Sequence, residues 1–432
     1  MDIASSIFFV GLLIFLAHLF SGLFSKTKIP DVLLLMLIGL LIGPMLGIVS
    51  VTAFGEVGAL MATITLVVIL FQGGLDLRLD VLARSLRGSV LLTVANFVVT
   101  TAIVGALAMI MLGLDYTAAF MLGAILGGTS SAVVIPVVHQ LRLAEESKTM
   151  LLLESALSDV LCIVVAIAFL ESLKLGEINA GAIAGKIVAS FLVASIIGII
   201  GAIGWSMLLQ WVRRVENGIF LTPAFVFVIY GVAEMLGYSG AIAALAFGIA
   251  LGNADSFNRL FSRLPLSIHP VSLISIEKVF FSEMSFLLKT FFFVFIGISI
   301  VLTNQTWMIA GLILTLVIFY VRVPIVWSSV QRTVPVADVS MMAVMVPKGL
   351  AAAVLASMPL QQGVAGGEMI QCITYAVVLF SITINSALVF LLEKTPVSRF
   401  YGWMFRSFGR HPIPKKGDID ATALAAQVTA KF

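Results

Sequence analysis

The feature that most constrains this chain is a succession of apolar blocks, each roughly 20 residues long, separated by short polar stretches. A helix of that length crosses the hydrocarbon core of a bilayer. Inside the bilayer only a helix or a closed barrel satisfies its own backbone. A barrel would show short alternating segments, and none occur in the sequence. The spacing predicts about thirteen spans, near 4–24, 29–48, 56–75, 88–112, 116–138, 148–171, 181–211, 218–236, 238–252, 281–302, 306–330, 339–360 and 368–392. Charged residues make up 11% of the chain, against roughly a quarter in a soluble domain. The expected fold is an all-α polytopic membrane protein.

The basic residues set an expected orientation. Lys26 and Lys28, then Arg78, Arg84 and Arg87, then Arg142 and Lys148, then Arg213 and Arg214 fall in alternate loops. Arg259, Arg263 and Lys278, then Arg332, and finally Arg406, Arg410, Lys415 and Lys416 continue the alternation, with Lys174 as the exception. Positive loops stay cytoplasmic, so the N-terminus is expected outside and the C-terminus inside a plasma (inner) membrane. No small-residue cleavage site follows the first block, so it is read as a retained helix. Cys162 and Cys372 lie inside apolar blocks and imply no disulfide framework. No phosphate loop or nucleic-acid patch appears. No nucleic-acid partner and no enzymatic activity are expected.

Two spans are poor helices. GGTSSAVVIP at 127–136 puts Gly128 and three hydroxyls ahead of Pro136. VPKGLAAAV at 346–354 places Lys348 between Pro347 and Gly349. Unwound backbone at membrane depth survives only where protein or a water-filled cavity covers it. The interruptions fall in the fifth span of the first six and the fifth of the last six, with span seven as the link. That placement predicts two inverted six-helix repeats whose discontinuous helices cross at a binding site. Lys348 is positioned to offset the partial charge on helix ends exposed there.

Intramembrane carboxylates point to the chemistry. Asp159 is costly in a bilayer, and such residues face a cavity or a partner. Ser155 lies four residues earlier, on the same helical face. Together with carbonyls freed near Thr129 they would form an oxygen cage suited to a hard cation. Ser130 and Ser158 complete the candidate set for ion or proton binding. Arg322 stays ionised and needs a carboxylate, for which Glu154 is the natural candidate, as a largely structural pair. Lys289 either salt-bridges in the core or snorkels. Gln72 hydrogen-bonds locally, and His139 and His269 are read as incidental.

These residues carry a resemblance. KIPDVLLLMLIGLLIGP at 28–44, LFQGGLDL at 70–77, GAILGGTSSAVV at 123–134 and ESALSD at 154–159 resemble the monovalent cation/proton antiporter superfamily. So do FFVFIGISI at 292–300, RVPIVW at 322–327 and VPKGLAAAVLA at 346–356. The likeness is to the sodium/proton exchanger branch, while TSSAVV also looks like the glutathione-gated potassium efflux systems.

The resemblance implies a homodimer. Its transmembrane domain spans 1–403, with core helices about 88–171 and 306–392, dimerisation helices about 4–75 and 218–302, a linker about 181–211, and a short cytoplasmic tail 404–432. It implies that Asp159 carries the ion, with Ser155 and the Thr129 backbone as ligands and Glu154–Arg322 as an ion pair. That branch usually has Asn-Asp where this chain has Ser158-Asp159, and the electrogenic branch has two aspartates. A single carboxylate implies electroneutral 1:1 exchange. Sodium is the favoured cation, with lithium accepted and potassium as the alternative; a gated channel ranks below both. No cofactor is expected beyond the transported Na⁺ or K⁺ and H⁺.

Overall fold

A computed structural model of the chain describes residues 3–27, 30–49, 55–77, 79–175, 180–214, 218–254, 273–302 and 304–409. Lys28, Arg78, Arg259, Arg263, His269 and the tail from Arg410 onward lie outside them. The regular structure of the described residues is all helical, with no strand among them.

The first six spans are α1 (Ile3–Thr27), α2 (Asp31–Leu40, continuing as a π-turn through Leu41–Met45), α3 (Gly55–Asp76), α4 (Leu79–Leu112), the broken pair α5 (Tyr116–Leu126) and α6 (Ser131–Gln140), and α7 (Glu145–Leu175). The link is α8 (Ala180–Val212). The last six are α9 (Leu221–Met235), α10 (Gly240–Gly252), α11 (Ser275–Ile298), α12 (Gln305–Ser329), the broken pair α13 (Val336–Val344) and α14 (Leu350–Gln361), and α15 (Gly367–Lys394). A short helix α16 (Val397–Met404) follows. Among the described residues eight helices are long and apolar enough to cross a membrane, and five shorter apolar helices accompany them.

Helix starts follow ordinary capping chemistry. Asp115 accepts from the Thr117 amide to open α5, Ser239 from Ile242 to open α10, and Asn304 from Trp307 to open α12. Pro335 stands at the N-cap of α13, where its missing N–H costs nothing. Several helices overrun their apolar blocks. α4 begins nine residues before the expected position 88, because hydropathy marks the bilayer and not the end of hydrogen bonding.

Packing has the reciprocity of an inverted repeat. α2 packs on α11 while α3 packs on α10, so the second and third spans of each half exchange partners. α4 meets α12, its counterpart, and α7 packs on α4 as α15 packs on α12. These pairings leave spans one to three of both halves with α8 as one set, and spans four to six as another. α14 touches α3 and α11 from the second set.

Glycines make two of the closest contacts. A Cβ on Gly39 would strike the α11 backbone at Val294 and Gly297, and one on Gly297 would strike Met36 and Gly39. Gly74 and Gly248 stand in the same relation across α3 and α10. Without a hydrophobic drive between helices in lipid, such backbone approach supplies the dispersion that holds them.

Candidate functional site

The site is the crossing of the two breaks. α5 ends at Leu126 and α6 begins at Ser131, while α13 ends at Val344 and α14 begins at Leu350. The glycines of the first break are demanded by space. A Cβ on Gly127 would lie 2.7 Å from the Phe97 ring on α4, and one on Gly128 would meet the Cys162 sulfur and the Ser158 carbonyl on α7. A Cβ on Gly349 would meet the Ser130 hydroxyl. The two breaks therefore press on each other and on α7.

Each unwound segment has buried amides that need acceptors. The Thr129 N–H donates to Ser158 Oγ on α7 at 2.9 Å. The Lys348 N–H donates to Ser381 Oγ on α15, also at 2.9 Å. Thr129 and Lys348 each precede their second half-helix by two positions, so the serines are counterparts in the two repeats. The Ser130 N–H crosses to the Pro347 carbonyl at 2.8 Å. The reverse crossing is made by a side chain, Lys348 Nζ to the Gly128 carbonyl at 2.6 Å. A buried ammonium thus sits on the carbonyl end of α5, where the helix dipole is negative. Asn96 of α4 also donates to the break, at the Gly127 carbonyl.

Asp159 lies beside the first turn of α6. Its Oδ2 accepts from the Ser131 hydroxyl at 2.6 Å. A carboxylate is favoured at that position, the amino end of a helix. Lys348 makes no ion pair with it: the ammonium is committed to Gly128. Thr129 Oγ1 is buried and has no hydrogen-bond partner among the described residues, which leaves an oxygen available at the break.

Glu154 and Arg322 meet, both fully buried. Arg322 Nη1 donates to Glu154 Oε1, Nη2 to Oε2 at 2.7 Å, and Nε to the Met342 carbonyl at 3.1 Å. One guanidinium therefore ties α7 to α12 and α13 across the two repeats.

The structure adds detail to the expectation at Ser155. Helical spacing puts it on the face of Asp159, but its hydroxyl turns back to the Leu152 carbonyl at 2.9 Å and is fully buried. The hydroxyl that meets Asp159 belongs to Ser131, a residue outside the expected set. Ser158 faces the break and not the carboxylate, and Ser130 contributes its main chain to the crossing. Ser131 stood in the quoted TSS run and could have been singled out as the first residue of the second half-helix. Ser381 had one available signal, its place in the last span of the second repeat, matching Ser158 in the first. Lys289 and Gln72 are half-buried, with Gln72 Oε1 buried and unpartnered among the described residues.

The chain matches the family model described as sodium/hydrogen exchanger, transmembrane, over residues 11–394. It is 30% identical over 337 residues to Na(+)/H(+) antiporter 1 of Methanocaldococcus jannaschii, covering 73% of this chain and 74% of that protein. It is 26% identical over 259 residues to the K(+)/H(+) antiporter NhaP of Alkalimonas amylolytica, covering 58% of this chain and 44% of that protein. The chain thus spans less than half the length of that potassium relative. Its fold matches the solved structure of the sodium proton antiporter MjNhaP1 from Methanocaldococcus jannaschii with a TM-score of 0.74 at 23% identity, over 94% of this chain and 100% of that one. With thirteen apolar helices among the described residues, two crossed breaks and a family match that runs almost the length of the chain, this protein belongs to the sodium/hydrogen exchanger family.

Proposed function

We propose that this protein is a secondary antiporter exchanging a monovalent cation for protons, with Asp159 as the group both compete for. The observation that carries this reading is Asp159 at the amino end of α6, held by Ser131, two residues along the break from Thr129, whose buried hydroxyl has no partner among the described residues. A carboxylate with neighbouring hydroxyls and freed carbonyls is an oxygen site for a hard, weakly held ion. It takes a dehydrated cation or a proton, never both. An ionised Asp159 is costly to carry through a low-dielectric barrier, whereas either loaded form is neutralised locally. Only loaded forms then cross, and the two gradients are coupled.

Sodium is the favoured cation, with lithium accepted, because the sodium antiporter relative aligns over nearly three-quarters of both chains. Potassium is the second reading, supported by the shorter alignments to K(+)/H(+) antiporters. One exchanging carboxylate makes the expected stoichiometry one proton per cation, without net charge movement. The helices of spans four to six would move as the core against spans one to three, which would form the face of a homodimer. The N-terminus would lie outside the plasma membrane and the C-terminus in the cytoplasm. Nothing in this scheme calls for an enzymatic step or a resident cofactor.

The test uses purified protein in liposomes with a trapped pH dye. A pH gradient is imposed, and Na⁺, Li⁺, K⁺ or choline chloride is added with and without a valinomycin clamp. A proton flux on Na⁺ and Li⁺ addition, unaltered by the clamp, is expected. A K⁺ response of equal size would move the assignment to potassium. The Asp159→Asn protein should fold and exchange nothing; exchange in that variant would reject the scheme.

A further inference from the structure

Two residues separate the short helix α16 from Lys394 at the end of α15, so it lies where a bilayer-spanning helix leaves the membrane. Val397, Tyr401 and Met404 pack on the cluster that holds Val334, Val339, Phe405 and Phe408. Steps of about 100° per residue put Phe400 and Trp403 together on the adjoining flank, with Arg399 just beyond. That flank is uncovered. Phe400 is 60% and Trp403 67% exposed, with ring centroids 6.4 Å apart. Lys394, Arg399 and Arg406 are exposed and form no ion pair among the described residues. No acidic residue occurs between Lys394 and Arg410.

The helix is also fastened to the transport machinery. Arg332, in the turn between α12 and α13, lies 4.1 Å from the Trp327 ring and 4.3 Å from the Phe408 ring. Its Nη1 donates to Ser407 Oγ at 3.1 Å, and the Gly409 N–H donates to the Arg332 carbonyl at 3.0 Å. The residues after α16 are thereby clamped to the entry of α13, the half-helix that leads to the break at Lys348.

We propose that α16 lies in the membrane interface and binds anionic lipid headgroups, Phe400 and Trp403 entering the acyl boundary while Arg399, Arg406 and Lys394 take the headgroup charge. Tryptophan and phenylalanine next to unpaired cations, on a helix too short and too polar to span, is the pattern of an element that lies on a bilayer. The three cations outnumber the one acid beside them in sequence, Glu393, and so select an anionic leaflet over a zwitterionic one. Through the Arg332 clamp, lipid bound there stabilises α13 in its docked position. The membrane's charge thereby sets the rate at which the broken helix works. The proposal rests on the transmembrane reading and not on the identity of the exchanged ion.

The test uses the full chain in phosphatidylcholine vesicles containing increasing fractions of phosphatidylglycerol. Comparing the protein with its Trp403→Phe variant isolates the Trp403 fluorescence. Lipid brominated on the acyl chain should quench that component. Exchange should depend on the phosphatidylglycerol fraction. In an Arg399→Gln/Arg406→Gln protein the dependence should need several-fold more anionic lipid, since each basic residue at such a surface contributes about fivefold. Both proteins should exchange equally in phosphatidylcholine alone. An unquenched Trp403, or a cross-link between protomers through Trp403→Cys in place of quenching, would overturn the proposal. So would an identical lipid dependence in the double variant. Quenching needs no ion exchange, so it stays readable even if the antiport assignment fails.

Discussion

Replacing Glu154 by glutamine leaves a fully buried guanidinium with the Met342 carbonyl and a neutral amide where a carboxylate stood. Both charges have been taken out of water, so removing one exposes the desolvation cost of the other. Breaking such a buried pair costs about 3–5 kcal/mol, while replacing both partners by apolar residues of similar volume is often neutral. Glu154→Gln should therefore lose about 3–5 kcal/mol, and Arg322→Met a similar amount. Glu154→Leu/Arg322→Met should lose far less, about 1 kcal/mol for the Met342 carbonyl that Arg322 no longer satisfies. Taking an unfolding entropy of about 2 cal/mol/K per residue, the single variants should melt roughly 4–6 °C below the parent. The assay is heating in detergent followed by fluorescence-detected gel filtration of all four corners of the cycle. A Glu154→Gln protein that melts within a degree of the parent would refute the argument. A double variant whose loss equals the sum of the singles would refute it equally.

Four further outcomes follow from contacts at the breaks and at the start of α11. Ser131→Ala removes the hydrogen bond that favours ionised Asp159, worth about 1.5–3 kcal/mol, so protons compete better and the half-saturating cation concentration at fixed pH should rise about tenfold or more. Lys348→Met strips the charge from the Gly128 carbonyl and should cost about 1.5–3 kcal/mol by the same melting assay, with Lys348→Arg recovering most of it. Glu277 accepts two hydrogen bonds from Arg213 and one from the Ile274 amide at the start of α11, so Glu277→Ala should cost about 1–2 kcal/mol, mostly as the lost cap. Arg213→Met should cost less than half of that, because the arginine is partly exposed.

The positions of the spans and of both breaks could be read in the chain because the bilayer tolerates few exceptions: an apolar run of this length, or a Gly/Pro interruption inside one, has few other uses. The partner of Arg322 was equally legible, since a permanent cation in an apolar span needs a carboxylate and Glu154 was available. The ligand sphere of Asp159 was less so. Helical spacing brings Ser155 to its face, but a serine can bond its own helix, and Ser155 does. Ser131 reaches the carboxylate from a helix that sequence spacing cannot orient. Asn96 and Ser381 each look like one of many lone polar residues in a membrane helix until the breaks they serve are in place.

The equivalence of Ser158 and Ser381 has a consequence for how the protein is poised. Two halves related by an axis in the membrane plane can exchange conformations, and the exchanged molecule faces the other side of the bilayer. Were the halves identical, the inward-facing and outward-facing states would be degenerate. Every bias between them must then come from positions where the copies have diverged. Around the crossing these include the charged positions: Asp159 corresponds to the buried Ile382, and Thr129 to Lys348. The substitutions that gave one copy a carboxylate and the other an ammonium are thus among those that bias on which side the resting protein waits.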